Sequence, residues 1–177
     1  MKEMIVLVLG FVLVNNYALS AFFGLTPLLG FASKRGKILA LGLSVTGVML
    51  LASLILWLLC GLIPAWAQVI AAAALALLLT WLLQLLLGKR LGVYCPVIAL
   101  NSAVLAIALQ LTAADSVVTV LLSALGAGLG FLFGLFLLSG LEARIEDEQL
   151  PKAFRGLPIR ILTAAIIALA LTAFKFK

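Results

Sequence analysis

Five stretches of this sequence contain no Asp, Glu, Lys or Arg. They cover residues 4–33, 38–88, 91–114, 116–141 and 161–174. A helix that crosses a bilayer needs about 20 mostly apolar residues, so the first, third and fourth stretches each predict one span. The second is long enough for two, and its break falls at residues 61–64, where Trp57 and Trp66 flank a Gly and Pro turn as interfacial aromatic residues do. The last predicts a short span that begins at Leu157, with Arg160 reaching to the interface.

The composition excludes a water-soluble fold. Apolar residues make up 66% of the chain and charged residues 10%, against roughly 45 to 50% and about 25% in an average soluble domain. We therefore expect an all-α integral membrane protein, a single domain over residues 1–177 with six transmembrane helices. The predicted spans are residues 4–25, 38–60, 65–87, 91–112, 117–140 and 157–174. They leave no segment for a soluble catalytic domain, so we expect the chain to be non-catalytic by itself.

The basic residues predict which side of the membrane each loop occupies. With six spans, nine of the twelve Lys and Arg residues fall on one side, namely Lys34, Arg35, Lys37, Lys89, Arg90, Arg144, Lys152, Arg155 and Arg160. Such an excess marks the cytoplasmic face, which predicts both termini outside and a cytoplasmic loop over residues 142–157. The net charge of +6 therefore reflects topology, and we expect contact with lipid but no nucleic-acid partner.

The opening segment resembles a cleaved signal peptide only loosely. Residues 18–20, Ala-Leu-Ser, imitate a cleavage site. However, Lys2 and Glu3 cancel in charge, and the apolar stretch is longer than the usual core of about 7 to 15 residues. We therefore interpret this segment as the first span.

Histidine and cysteine usage excludes several chemistries. The chain has no His, which removes the commonest general base and metal ligand. Its two cysteines, Cys60 and Cys95, lack CxxC spacing, and a buried free Cys usually behaves as a small hydrophobe. Zinc sites and soluble-type hydrolase chemistry are not supported.

Uncharged polar residues lie near the centres of two predicted spans. Asn15 and Asn16 lie in the first span, and Asn101 and Ser102 lie in the fourth. A carboxamide in hydrocarbon is costly without a partner, so these side chains are expected to face the bundle interior. They either hydrogen-bond between helices or form a polar site at mid-depth.

The same two spans carry helix-breaking residues. Gly24, Pro27 and Gly30 interrupt the first, and Gly92 and Pro96 interrupt the fourth. These spans hold equivalent places in two three-helix halves, which run in opposite directions because each half has an odd number of spans. Paired interrupted helices of an inverted repeat are a sequence indication of a midplane site.

The fifth predicted span carries a glycine stripe. Gly126, Gly130 and Gly134 recur at four-residue spacing. Such spacing allows another helix to approach closely, and we interpret it as packing.

Three ordered motifs resemble a known family. They are LVNNYAL at residues 13–19 followed by FGLTPLLG at 23–30, GVYCPVIALNSAVL at 92–105, and LPKAFRGLPI at 150–159 with LTA at 162–164. Together they resemble the Rnf/Nqr membrane-subunit family over nearly the full length. The match is to the A-type branch of Rnf complexes, which is equivalent to the E-type branch of sodium-pumping NADH-quinone reductases.

This resemblance implies membership of a respiratory complex in the cytoplasmic (inner) membrane of a prokaryote. Such complexes couple electron flow between ferredoxin or NADH and an acceptor to export of Na⁺ or H⁺. The implied partners are a paralogous six-helix subunit of opposite topology, together with flavin and iron-sulfur subunits. In the family, the two paralogous subunits share a [2Fe-2S] cluster, and each supplies one Cys from its first helix and one from its fourth.

The residues at those cluster positions here are Thr26 and Ser102. A hydroxyl is a harder and far less acidic ligand than a thiol, so this pair should not hold a usual cluster. Cys95 is an alternative metal ligand, seven residues before Ser102, which in a continuous helix is two turns, or about 10 Å, along the same face. Three classes stay open: a subunit of a redox-driven pump, a cluster-free transporter of ions or small solutes that uses the midplane polar groups, and a scaffold.

Overall fold

All regular secondary structure in the described part of the chain is helical. The computed structural model describes residues 2–14, 16–17, 19, 23–24, 35–87, 95–145 and 151–173. The helices are α1 (Lys2–Leu9), a π-helical turn (Gly10–Val14), α2 (Arg35–Leu59), α3 (Ala65–Leu87), α4 (Cys95–Ala99), α5 (Ser102–Gln110) with a 3₁₀ turn (Leu111–Ala113), α6 (Val117–Glu142), a 3₁₀ turn (Lys152–Phe154) and α7 (Leu157–Thr172). No strand occurs in these ranges. The prediction of an all-α membrane protein is confirmed.

Within the described residues, four segments are long and apolar enough to cross a membrane. They are Ile38–Leu59, Ala65–Leu86, Pro96–Ala113 and Val117–Leu141. Their bounds lie within a few residues of four predicted spans, except at the start of the fourth, where residues 88–94 lie outside the described ranges. The apolar stretch of α7, Leu157–Leu171, is shorter. The first predicted span, called the first segment below, contains α1, the π turn and non-helical residues up to Gly24. Because it is not one continuous helix, six spans stay a prediction.

The centre of the bundle is the pair α2 and α6. About half of the apolar stretch of each helix is buried inside the chain. The corresponding share for α3 is 22%, so α3 is peripheral. A Cβ added at Gly42 would overlap Leu132, and one added at Gly128 would overlap Thr46. Since the numbering rises on one helix as it falls on the other, α2 and α6 are antiparallel and meet where glycine leaves room.

The first segment packs parallel to α6. Gly126 of α6 lies beside Val8 and Phe11, and Gly130 lies beside Phe11 and Val12, so the numbering rises on both elements together. The close approach predicted from the glycine stripe is thus found at these two positions. The antiparallel and parallel directions agree with the alternation that six spans require.

The end of α2 lies beside the end of the fourth predicted span. That span comprises α4, α5 and the 3₁₀ turn Leu111–Ala113, and it is called the fourth segment below. The indole Nε1 of Trp57 donates to the carbonyl of Ala114 at 2.8 Å. The two segments therefore end on the same side, as predicted for the second and fourth spans.

Candidate functional site: a polar junction of two interrupted segments

The first segment stops being helical near its asparagines. The helical structure ends with the π turn at Val14, and the described residues 16, 17, 19, 23 and 24 are not helical. Among the described residues, the predicted span 4–25 is therefore not one continuous α-helix. The predicted interruption is present, but it begins before Pro27, which lies outside the described residues.

Asn16 replaces the backbone hydrogen bonds that are lost where the helix ends. Its Nδ2 donates to the carbonyls of Val12 at 2.8 Å and of Gly130 at 2.9 Å. Its Oδ1 accepts from the backbone N–H of Leu19 at 3.1 Å. The side chain is fully buried, where an unpaired backbone group would be costly. The carboxamide therefore holds the helical end of the first segment against α6 through hydrogen bonds.

The two ends of the interrupted stretch, Asn16 and Gly24, lie at a similar depth. A helix from Asn16 to Gly24 would advance about 12 Å. Instead, Asn16 donates a hydrogen bond to the carbonyl of Gly130. A Cβ at Gly24 would lie 3.1 Å from Cε2 of Phe131, which follows Gly130 on α6. The N–H of Phe23 also donates to the carbonyl of Tyr17 at 2.9 Å. Both ends of the stretch thus lie beside the same turn of α6.

The predicted interruption of the fourth segment is present, between α4 and α5. Its position differs from the prediction, because Pro96 lies within α4 and Gly92 lies outside the described residues. Asn101 has extended backbone angles, φ −78° and ψ 111°, and caps α5 by accepting from the N–H of Ala103 at 3.0 Å. Asn is a preferred N-cap residue because its short side chain competes for backbone donors. The break lies inside the apolar span Pro96–Ala113, about a third of the way from its start.

The two interruptions touch. The N–H of Gly24 donates to Oγ of Ser102 at 2.8 Å. Gly24 has φ +73°, and a Cβ there would lie 2.5 Å from Oδ1 of Asn101. Only glycine fits this left-handed, tightly packed position. We call Asn16, Gly24, Asn101, Ser102 and Gly130 the junction.

The junction is neutral and presents one unpaired donor. Asn101 is 1% exposed, and within the described ranges its Nδ2 has no hydrogen-bond partner. Ser102 is exposed at the surface of the chain. Among the described residues, no group of three or more Cys, Asp or Glu side chains could hold a metal ion. The spare group is an N–H donor, which suits a hydrogen-bond acceptor rather than a cation.

The structure brings together some predicted site residues and not others. Asn16, Asn101 and Ser102 meet at the junction, whereas Asn15 and Thr26 lie outside the described residues. Cys95 is the first residue of α4 and is separated from Ser102 by the break. The expectation that these two residues lie on one face of a continuous helix is therefore wrong.

An aromatic ladder was not predicted from the sequence. The rings of Phe11 and Tyr17 stack with centroids 6.0 Å apart, and those of Tyr17 and Phe23 with centroids 6.2 Å apart. Their six-residue spacing matches no helical period, so only a broken segment can align them. The ladder runs along the first interruption and ends next to Gly24.

The residues at the junction do not fit an iron-sulfur cluster. Such clusters are held by soft thiolate ligands. Of the two family ligand positions, only Ser102 is among the described residues. Its hydroxyl oxygen already accepts a hydrogen bond from the N–H of Gly24. The geometry is that of a hydrogen-bonded tie between two chain segments.

Comparison with known proteins identifies the family. The family model described as Rnf-Nqr subunit, membrane protein, matches residues 4–177. The chain is 36% identical to the A-type subunit of the ion-translocating oxidoreductase complex of Syntrophotalea carbinolica, over 98% of this chain and 97% of that protein. It is 33% identical to the A-type subunit of the Na⁺-translocating ferredoxin:NAD⁺ oxidoreductase complex of Acetobacterium woodii, over 97% and 96% of the two chains. This chain therefore belongs to the Rnf-Nqr family of membrane subunits.

Proposed function

We propose that this chain is an integral membrane subunit of an ion-translocating electron-transport complex. The complex couples electron flow between ferredoxin or NADH and an acceptor to export of Na⁺ or H⁺. The observation that carries this proposal is the nearly full-length similarity to the A-type subunits of such complexes. The described residues form interrupted, packed helices and include no water-side domain for flavin or nucleotide. We therefore assign oxidation of the electron donor to partner subunits.

The proposed location is the cytoplasmic (inner) membrane of a prokaryotic cell, with both termini outside. The basic residues support this orientation, since Arg144, Lys152, Arg155 and Arg160 all lie between the end of α6 and the first turn of α7. The proposed partners are a paralogous six-helix subunit of opposite topology and the flavin and iron-sulfur subunits of the complex.

The hydrogen bonding of the junction supports this proposal over an isolated cation transporter. A site that binds Na⁺ through uncharged groups needs oxygen ligands. The carboxamide oxygens of Asn16 and Asn101 both accept backbone N–H groups, and the unpaired atom of Asn101 is a nitrogen. These amides therefore hold the broken backbone together and offer little to a passing cation.

Deletion and complementation test the proposed function. Inside-out membrane vesicles from the deletion strain should lose ferredoxin-dependent NAD⁺ reduction and the accompanying uptake of Na⁺ or H⁺. Both activities should return with the wild-type chain and with the control variant Leu78→Ala, because Leu78 is exposed on the peripheral helix α3.

Purification through the same chain provides the second test. A tagged chain extracted from native membranes in mild detergent should bring the other subunits with it. Vesicles that keep redox-driven ion uptake without the chain, or a chain that purifies alone while transporting solute by itself, would contradict the proposal.

A further inference from the structure

Two hydroxyl residues, Thr26 and Ser102, stand at the positions of the family's cluster ligands, and their role here rests on the proposed function. We propose that in this chain a hydrogen-bonded clasp, formed by the N–H of Gly24 and Oγ of Ser102, takes the place of a [2Fe-2S] cluster, and that the chain ligates no iron at the junction. The clasp joins the two interrupted segments through residues 78 positions apart in the sequence, with 2.8 Å between the nitrogen of Gly24 and Oγ of Ser102.

The chemistry of Ser102 supports a structural role. To ligate iron as an anion, the hydroxyl would have to lose its proton, which an alcohol does far less readily than a thiol. As an acceptor for Gly24, the neutral hydroxyl satisfies a buried backbone donor and needs no change of charge.

The backbone around the clasp is already closed. Gly24 adopts φ +73°, and a single added carbon there would lie 2.5 Å from Oδ1 of Asn101 and 3.3 Å from Cβ of Ala103. The two segments are therefore in direct contact on the buried side of Ser102. They need no bridging group to stay together.

The number of available ligands is also insufficient. A cluster of this type takes four ligands, usually all thiolates. At the two family positions, this chain supplies only the hydroxyls of Thr26 and Ser102. Cys95 lies on the other side of the break, at the start of α4. A sister subunit could contribute its own thiolates, but these would make only part of the set.

The functional consequence is a junction without redox chemistry. Electron carriage in the complex would then belong to centres on other chains, and this chain would hold the broken helices in register. Removal of the Ser102 hydroxyl should change stability and leave the iron of the complex unchanged.

The test compares four complexes purified through this chain: wild type, Ser102→Ala, Ser102→Thr and Thr26→Val. Iron, acid-labile sulfide and the electron paramagnetic resonance spectrum after reduction should be the same per complex in all four. The thermal midpoint of the chain should fall in Ser102→Ala and be kept in Ser102→Thr, because threonine retains the accepting hydroxyl.

Each outcome decides one part of the proposal. Iron or a resonance signal that disappears in Ser102→Ala or Thr26→Val, with all subunits still present, would overturn the absence of a cluster. An unchanged thermal midpoint in Ser102→Ala would overturn the clasp. Should Ser102→Ala fail to assemble while Ser102→Thr assembles, the clasp is supported and Thr26→Val decides the iron question.

Failure of the proposed function has a different signature. In that case no partner subunit purifies with the wild-type chain. The thermal comparison of Ser102→Ala with Ser102→Thr can still be made on the chain alone, so the clasp is judged independently.

Discussion

At the scale of single residues, two asparagines have different roles at the two interruptions. Asn16 uses both ends of its carboxamide, whereas Asn101 uses only its oxygen. The sequence predicts that amides at mid-depth need partners. It could not predict the partner of Asn16, because Gly130 lies 114 positions away and is reached only once the first segment has packed on α6.

Replacement of Asn16 by leucine should destabilise the chain by about 3 kcal/mol. It removes three hydrogen bonds and leaves the buried N–H of Leu19 without its acceptor. The control is Gln68→Leu, which removes an amide with a single 3.5 Å bond and should cost less than about 1 kcal/mol. Thermal or denaturant unfolding in detergent measures both, and equal losses would contradict the assigned role of Asn16.

Two substitutions at Asn101 separate its capping oxygen from its unpaired nitrogen. Asn101→Ser keeps an N-cap oxygen and removes the buried unpaired donor, so stability should be unchanged or slightly raised. Asn101→Leu loses the cap and should cost about 1 to 2 kcal/mol.

Ion-uptake assays on the two Asn101 variants complete this comparison. If Asn101→Ser lost coupled ion uptake as fully as Asn101→Leu while remaining stable, the amide nitrogen would have a binding role that our account does not give it.

At the scale of elements, the glycine face of α6 determines how closely the first segment packs. The four-residue spacing of glycine predicted a close approach. It could not predict that the approaching element would be a helix that ends in a π turn. That turn depends on contacts between Gly126, Gly130 and the backbone of residues 8–12, which local sequence does not encode.

Alanine substitutions along α6 should separate packing positions from open ones. A Cβ at Gly130 would lie 2.8 Å from the carbonyl oxygen of Phe11, whereas one at Gly140 meets nothing within 4 Å. Gly130→Ala should therefore cost about 1 to 3 kcal/mol by overpacking. Gly140→Ala should be neutral or gain up to about 1 kcal/mol from helix propensity. Unfolding midpoints that rank the two variants in the opposite order would disprove this packing of the first segment.

At the scale of the whole molecule, charge and hydropathy patterns predict most of the helix bounds. The charge-free stretches end at Lys, Arg, Glu and Asp residues, and α2, α3 and α6 begin or end within a few residues of them. The first segment escapes this reasoning, because its apolar composition fits a continuous helix equally well. The parallel and antiparallel contacts between segments agree with six alternating crossings.

Reporter fusions test that topology directly. Fusions at both termini should be active outside the cytoplasm, and fusions within residues 142–157 should be active inside it, because the basic residues cluster there. A carboxyl terminus in the cytoplasm would require an odd number of crossings after an outside amino terminus, and the six-span prediction would fail.

The most direct measurement is an electron cryo-microscopy map of the complex purified through this chain, at a resolution that shows side chains. We predict that the broken first and fourth segments touch within the membrane, with the Gly24 amide within hydrogen-bond distance of the Ser102 hydroxyl. Continuous helices in both segments, or metal density bonded to Ser102, would contradict this prediction.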